Sequence, residues 1–173
     1  MLLRWWHALR SDQYISSDTY NTSNCEAWYN VTDAEVNLLE TIDLSLLRQL
    51  LHAPMGTPKE MLFLELGCIP FREIIRQRRL YFLYYILNED SNSLVHRFFQ
   101  THMKNRTKRD WVSMVLNELE KLDMKHLTME NIMNMKKGTF RNMVKTKIEE
   151  KTFEGHENKK KSHSKVKNLN IMH

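Results

Sequence analysis

Residues that break helices are scarce in this chain. Four glycines and three prolines are spread over 173 residues. Glycine and proline punctuate turns and hairpins, so their scarcity argues against many short strands. It favours helices joined by short connections. Cysteine is scarcer still. Cys25 and Cys68 form no C-x-x-C and no Cys/His spacing of a zinc knuckle. That excludes a disulfide framework and a cysteine-based metal site, and both read as reduced thiols of an intracellular protein. No apolar run is long enough to span a membrane. The opening residues 1–10 (MLLRWWHALR) are interrupted by Arg4 and His7, and they are too short for a signal-peptide core.

What is present suits a soluble helical domain. Hydrophobic residues make up 42% and charged residues 27%, an ordinary globular balance. Eleven methionines suit adaptable helix packing or a surface that repacks on binding. The net charge of +5 is unevenly distributed. Residues 1–103 carry 9 Lys and Arg against 12 Asp and Glu, a net −3, and residues 104–173 carry 17 against 9, a net +8. The C-terminal part is therefore the candidate nucleic-acid face. A solvated lysine-rich surface is the plainer alternative.

The chain is organised around residues 57–87, TPKEMLFLELGCIPFREIIRQRRLYFLYYIL. Thr57, Pro58 and Glu60 have the pattern of a capped helix start. Gly67 supplies the left-handed residue that ends that helix, and Pro70 restarts another. At 100° per residue, Phe71, Ile74, Ile75, Tyr81, Phe82, Tyr85 and Ile86 share an apolar face of the second helix. Arg72, Arg76 and Arg79 share a different face. Arg78 falls within the apolar face, where a charge needs a partner or an outlet to water. Glu65 is the candidate partner, in a structural ion pair; direct contact with a ligand is the other reading of Arg78.

This stretch closely resembles a segment in the C-terminal half of reverse transcriptases of non-LTR (LINE-type) retrotransposons, after the palm, in the helical thumb and connecting region. The resemblance covers about residues 26–153. It takes in Glu26, Trp28, Tyr29, Asn30 and Thr32, then Leu46, Leu47, Arg48, Leu50 and Leu51. Downstream it includes Trp111, Val112, Asn134, Lys136, Lys137 and Phe140. It marks a helical scaffold rather than a catalytic motif. The family's palm uses paired aspartates to gather two metal ions. This chain has no Asp-Asp pair, no palm-sized strand block and no phosphate-cradling glycine loop. Despite the resemblance, these absences lead to the expectation of a fragment that is not catalytic by itself, with no cofactor and no metal.

The rest of the chain reads in order. Residues 1–24 form a poorly ordered leader; Trp5 and Trp6 could anchor at a membrane surface, but no membrane role is expected. A helix over about 32–53 is capped by Thr32 and Glu35, with Val36, Leu39, Ile42, Leu46 and Leu50 inward. Ser93 opens a short helix with Leu94, Val95, Phe98 and Phe99 inward; His96 and His102 read as surface or cap residues. Thr107 and Asp110 cap a helix carrying Trp111, Val112, Val115, Leu116 and Leu119. Thr128 starts a short helix ended at Lys136, Lys137 and Gly138. Thr139 caps a last one, from Phe140 to about Phe153. Residues 155–173 lack apolar periodicity and read as a disordered basic tail. Three glycosylation patterns, at Asn21, Asn30 and Asn105, are discounted without a signal peptide.

The expectation is an all-α domain, an irregular bundle of about six helices over residues 25–154. Three functional readings follow. The first is a sequence-tolerant RNA-binding module, intracellular in nucleus or cytoplasm, meeting RNA or an RNA–DNA duplex. The thumb of the parent enzymes grips duplex backbone, which calls for Arg and Lys on rigid helices. Arg72, Arg76 and Arg79 form one such array; Lys136, Lys137, Arg141, Lys145 and Lys147 form another. Tyr84 could stack on a base. The second reading is a protein-interaction domain whose partner is the remainder of a reverse transcriptase. The third is a retrotransposon remnant without function.

Overall fold

The computed structural model describes residues 31–107 and 110–169, with side chains as far as residue 154. The fold is all-helical. Among the described residues there are seven helices and no strand. The first is α1, Asp33–Leu51, which carries the expected capping box: the Glu35 N–H donates to Thr32 Oγ1, and Glu35 Oε2 accepts from the Thr32 N–H. A short α2, Lys59–Leu66, follows. Its N-cap is Pro58, with no side-chain cap, so the box expected from Thr57 and Glu60 does not form. Gly67, at φ 60°, ends α2 as expected. The Cys68 N–H donates to the Phe63 carbonyl at 2.9 Å, closing the turn. This positive φ is what requires glycine.

The long α3, Phe71–Asn88, starts after Pro70. It is followed by α4, Leu94–Lys104, and α5, Trp111–Lys121, capped by Ser93 and Asp110. The Asp110 carboxylate accepts from the Ser113 N–H at 2.6 Å and the Thr107 N–H at 2.7 Å. Burial pushes this carboxyl up, but the backbone donors outweigh burial and hold it below its ordinary pKa. Thr128 and Asn131 form a second capping box at α6, Met129–Asn134. The last helix, α7, is Lys137–Leu169. It begins earlier than expected, so Gly138 and Thr139 lie in its first turn, and Thr139 is not its cap. It also runs beyond Phe153. Its helical backbone is described to Leu169. Residues 1–24, Cys25 and the 26–30 part of the resemblance lie outside the described residues.

Helix α3 packs against α1, α4, α5, α6 and α7, which makes it the hub of the bundle. The main core joins Leu80, Leu83, Ile86 and Leu87 of α3 to Phe99, Val112, Val115 and Leu119. It closes on Leu122, Met124 and Ile132, and on Phe140, Val144 and Ile148 of α7. A smaller cluster of Leu47, Leu62, Phe63, Leu66 and Cys68 joins α1 to α2, and Cys68 is buried within it. A third, Val36, Phe71 and Ile75, joins α1 to α3.

Two expected apolar faces are turned differently. On α1 the buried residues are Val36, Asp43 and Leu47, whereas Ile42, Leu46 and Leu50 face outward. On α4 only Phe99 of the four expected residues is buried. Leu94, Val95 and Phe98 are exposed, and His96, expected at the surface, is buried with its Nδ1 3.0 Å from the Ile86 carbonyl oxygen. Both helices carry apolar residues on more sides than their neighbours cover, so periodicity alone does not select the buried ones. Replacing Leu83, which is fully buried, by alanine is expected to cost about 2–5 kcal/mol of unfolding free energy. Leu94→Ala, at an 83% exposed position, is expected to change it by less than about 0.5 kcal/mol. Urea denaturation of the two variants compares them directly.

Candidate nucleic-acid interface

The arginine stripe of α3 is engaged with carboxylates, Arg76 and Arg79 in enclosed positions and Arg72 nearer the surface. Arg72 donates from Nη1 to Asp33 Oδ1 on α1 and lies 3.8 Å from Glu40. This contact holds the Asp33 carboxyl below its ordinary pKa. Arg76 has a more enclosed site. Its Nη1 donates to Glu73 and its Nε to Glu118 on α5, both at 2.5 Å. Burial pushes the Glu73 carboxyl up, partly offset by Arg76. Arg79 is buried, with Nη1 3.9 Å from the second oxygen of Glu118. Glu118 is itself buried, so a carboxylate of α5 is held among guanidiniums of α3. The three arginines expected to meet nucleic acid, Arg72, Arg76 and Arg79, are thus all engaged with acidic side chains, and Arg76 and Arg79 are enclosed within the bundle.

Arg78 and Arg79 exchange the roles expected of them. Arg79 is the buried arginine, and the carboxylate it meets is Glu118. Arg78 is half-buried at the rim of a groove, while Glu65 is exposed on α2. No Glu65–Arg78 ion pair is found among the described residues. The cause is a helix phase rotated by about one residue. The buried face of α3 runs through Ile75, Arg79, Leu80, Leu83, Ile86 and Leu87, because aliphatic side chains carry no polar group into the core. The tyrosines, each with a hydroxyl that needs a partner, take the outer face.

That outer face forms one wall of a groove of about 640 Å³. Arg78, Tyr81, Tyr84 and Tyr85 of α3 face Lys137 and Arg141 of α7, with Glu89 at one end. Two contacts fix the walls together. The Tyr81 hydroxyl donates to the Arg141 carbonyl at 3.2 Å, and the Tyr84 hydroxyl donates to the Met135 carbonyl at 2.8 Å. The Arg141 guanidinium lies 4.9 Å from the centre of the Tyr81 ring. A guanidinium held by its face keeps its edge donors for a second partner. The Tyr84 ring stacks on Phe140 at 5.3 Å, so Tyr84, expected to receive a base, is committed to the bundle. Tyr85 is about half exposed and stacks against Phe82 at 6.0 Å. Its hydroxyl donates to Glu89, which raises its pKa above the ordinary value.

The later lysines divide between roles. Lys137, Arg141 and Lys145 recur every four residues and share one face of α7; the first two line the groove. Lys136 is exposed at the preceding connection. Lys147 pairs with Glu150 at 2.8 Å, and its neighbour Lys151 with Asp123 at 2.5 Å. Arg78, Tyr81 and Tyr85 thus join Lys137 and Arg141, although the sequence pattern assigned them to an ion pair and an apolar face. Their own spacing, i, i+3 and i+7, is the signal that marks one outward stripe. No three His, Cys, Asp or Glu side chains among the described residues are grouped to hold a metal. No helix there is long and apolar enough to cross a membrane.

Because Glu118 is enclosed, neutralising it removes the carboxylate that Arg76 and Arg79 share and leaves Arg76 with Glu73 alone. Glu118→Gln is expected to destabilise the fold by about 3–5 kcal/mol. Arg72→Ala breaks a pair whose acid, Asp33, is 86% exposed, and is expected to cost at most about 1 kcal/mol. Urea midpoints of the two variants at matched slope read the difference. Comparison of the chain with protein-family models, with curated proteins and with solved structures gives no significant match.

Proposed function

We propose that the chain is a non-catalytic RNA-binding helical module derived from a non-LTR retrotransposon reverse transcriptase. The observation that carries the binding reading is the groove between α3 and α7. Three cations, Arg78, Lys137 and Arg141, are set there beside tyrosine rings on two packed helices. Cations on rigid helices neutralise phosphates without reading bases. An exposed ring such as Tyr85 offers any base a stacking face, which suits sequence-tolerant binding to a single strand. Lys145 extends the cationic line one turn further along α7. The reverse-transcriptase origin rests on the sequence resemblance alone. It makes RNA or an RNA–DNA duplex the natural ligand, and the rest of such an enzyme a natural partner, in the nucleus or cytoplasm.

Binding of the full chain to a labelled single-stranded RNA across a salt series tests this. With four cations engaged, log affinity is expected to fall against log salt with a slope of about −3. Substituting Arg78→Gln, Lys137→Gln and Arg141→Gln together is expected to reduce that slope by about 2. Tyr85→Ala is expected to weaken binding by about 1–3 kcal/mol, the worth of one stacked base. Circular dichroism confirms that each variant is folded. A folded protein indifferent to RNA, or one whose slope survives the triple substitution, would sink the reading.

A further inference from the structure

A second groove, of about 570 Å³, lies between α4 and the start of α5. It is of different chemistry. Leu94, Val95, Phe98 and His102 form one wall, and Trp111 and Val112 the other, over a floor of Phe82, Ile86 and Phe99. Phe98 and Leu94 are 59% and 83% exposed, an apolar pair one turn apart on one helix face. The Phe98 ring leans on the His102 imidazole at 4.1 Å. Trp111 is set edge-on to Phe82 at 5.6 Å and to Phe99 at 6.5 Å, so the floor is a rigid aromatic corner.

Charge indicates what would lie there. Residues 93–107 contain Arg97, Lys104 and Arg106 and no acidic residue. By helical spacing Arg97 and Lys104, seven residues apart, stack along the solvent edge of the Leu94–Phe98–His102 stripe. The one carboxylate in the lining, Asp110, is occupied by the N–H groups of Ser113 and Thr107. The site is thus an apolar trough with a basic flank. From Leu94 to His102 the helix rises about 12 Å, two turns. A nucleic-acid strand would have to desolvate its phosphates against this floor, whereas an amphipathic helix would not.

We propose that this groove docks an acidic amphipathic helix of a protein partner. Apolar residues at i, i+4 and i+7 of that helix fill the trough between Phe98 and Trp111. Its glutamates and aspartates, on the adjoining face, meet Arg97 and Lys104. The site shares only Phe82 with the cationic groove of α3 and α7, so it does not depend on the RNA reading.

The test uses a fluorescent synthetic helix with leucine or phenylalanine at i, i+4 and i+7 and glutamate between them, titrated with the full chain by anisotropy. Saturable binding is expected, with affinity lowered at least about tenfold by Phe98→Ser and by Leu94→Ser. Both side chains are exposed, so both variants should fold, as circular dichroism would check. Arg97→Glu with Lys104→Glu is expected to weaken it further, and a peptide with lysine in place of glutamate is expected not to bind. Equal binding of the lysine peptide, or insensitivity to Phe98→Ser, overturns the proposal. So does a folded wild-type chain that ignores the acidic peptide. A self-association in sedimentation that Phe98→Ser dissolves would assign the groove to a second copy and also overturn it.

Discussion

A carboxylate of α5, Glu118, meets the guanidiniums of Arg76 and Arg79 inside the bundle, and much else follows from that contact. Charges so enclosed are stabilised only while each has its partner, so the pairing fixes how α3 is rotated against α5. Once Arg79 is inside, Leu80, Leu83 and Leu87 are carried into the core with it. Arg78, Tyr81 and Tyr85 are carried to the opposite side. The same rotation that encloses one arginine thus presents its neighbour to solvent. Arg72 extends the ionic contacts to Asp33 and Glu40 on α1, in a more exposed setting where they weigh less.

The hub role of α3 divides the surface into two grooves of unlike character. On one side α7 lies across the tyrosines, and cations line the walls. On another, α4 and α5 leave an aromatic trough with little polar surface. Both are framed by side chains committed elsewhere: Tyr84 to Met135 and Phe140, Asp110 to the cap of α5. Such commitments keep the walls in place without a ligand, which lowers the ordering cost of binding.

Much of the fold was legible in the sequence because it rests on local chemistry. Thr32 with Glu35, Gly67, Ser93, Asp110 and Thr128 mark helix ends through backbone groups a few residues away. The scarcity of glycine and proline set the class. The site was less legible. The face of a helix that turns inward depends on what its neighbours offer, and Glu118 lies about forty positions beyond Arg76 and Arg79. An amphipathic count that weighs Tyr81 and Tyr85 as heavily as Leu80 and Leu83 rotates α3 by one residue. That rotation exchanges Arg78 for Arg79 and turns an internal ionic contact into an apparent binding stripe. On α1 and α4 the surplus of apolar residues had the same effect. On α7 the single apolar line of Phe140, Val144 and Ile148 was legible, and Lys137 and Arg141 flank it.

The arginines of α3 are divided between an inward ionic contact and an outward groove. Side-chain NMR of the full chain, with arginine labelled with nitrogen-15, observes each guanidinium separately. The Nε–H signals of Arg76 and Arg79 should be shielded from exchange with water and stay fixed as single-stranded RNA is added, while those of Arg78 and Arg141 shift. Shifts at Arg76 and Arg79, with Arg78 and Arg141 unmoved, would contradict the account.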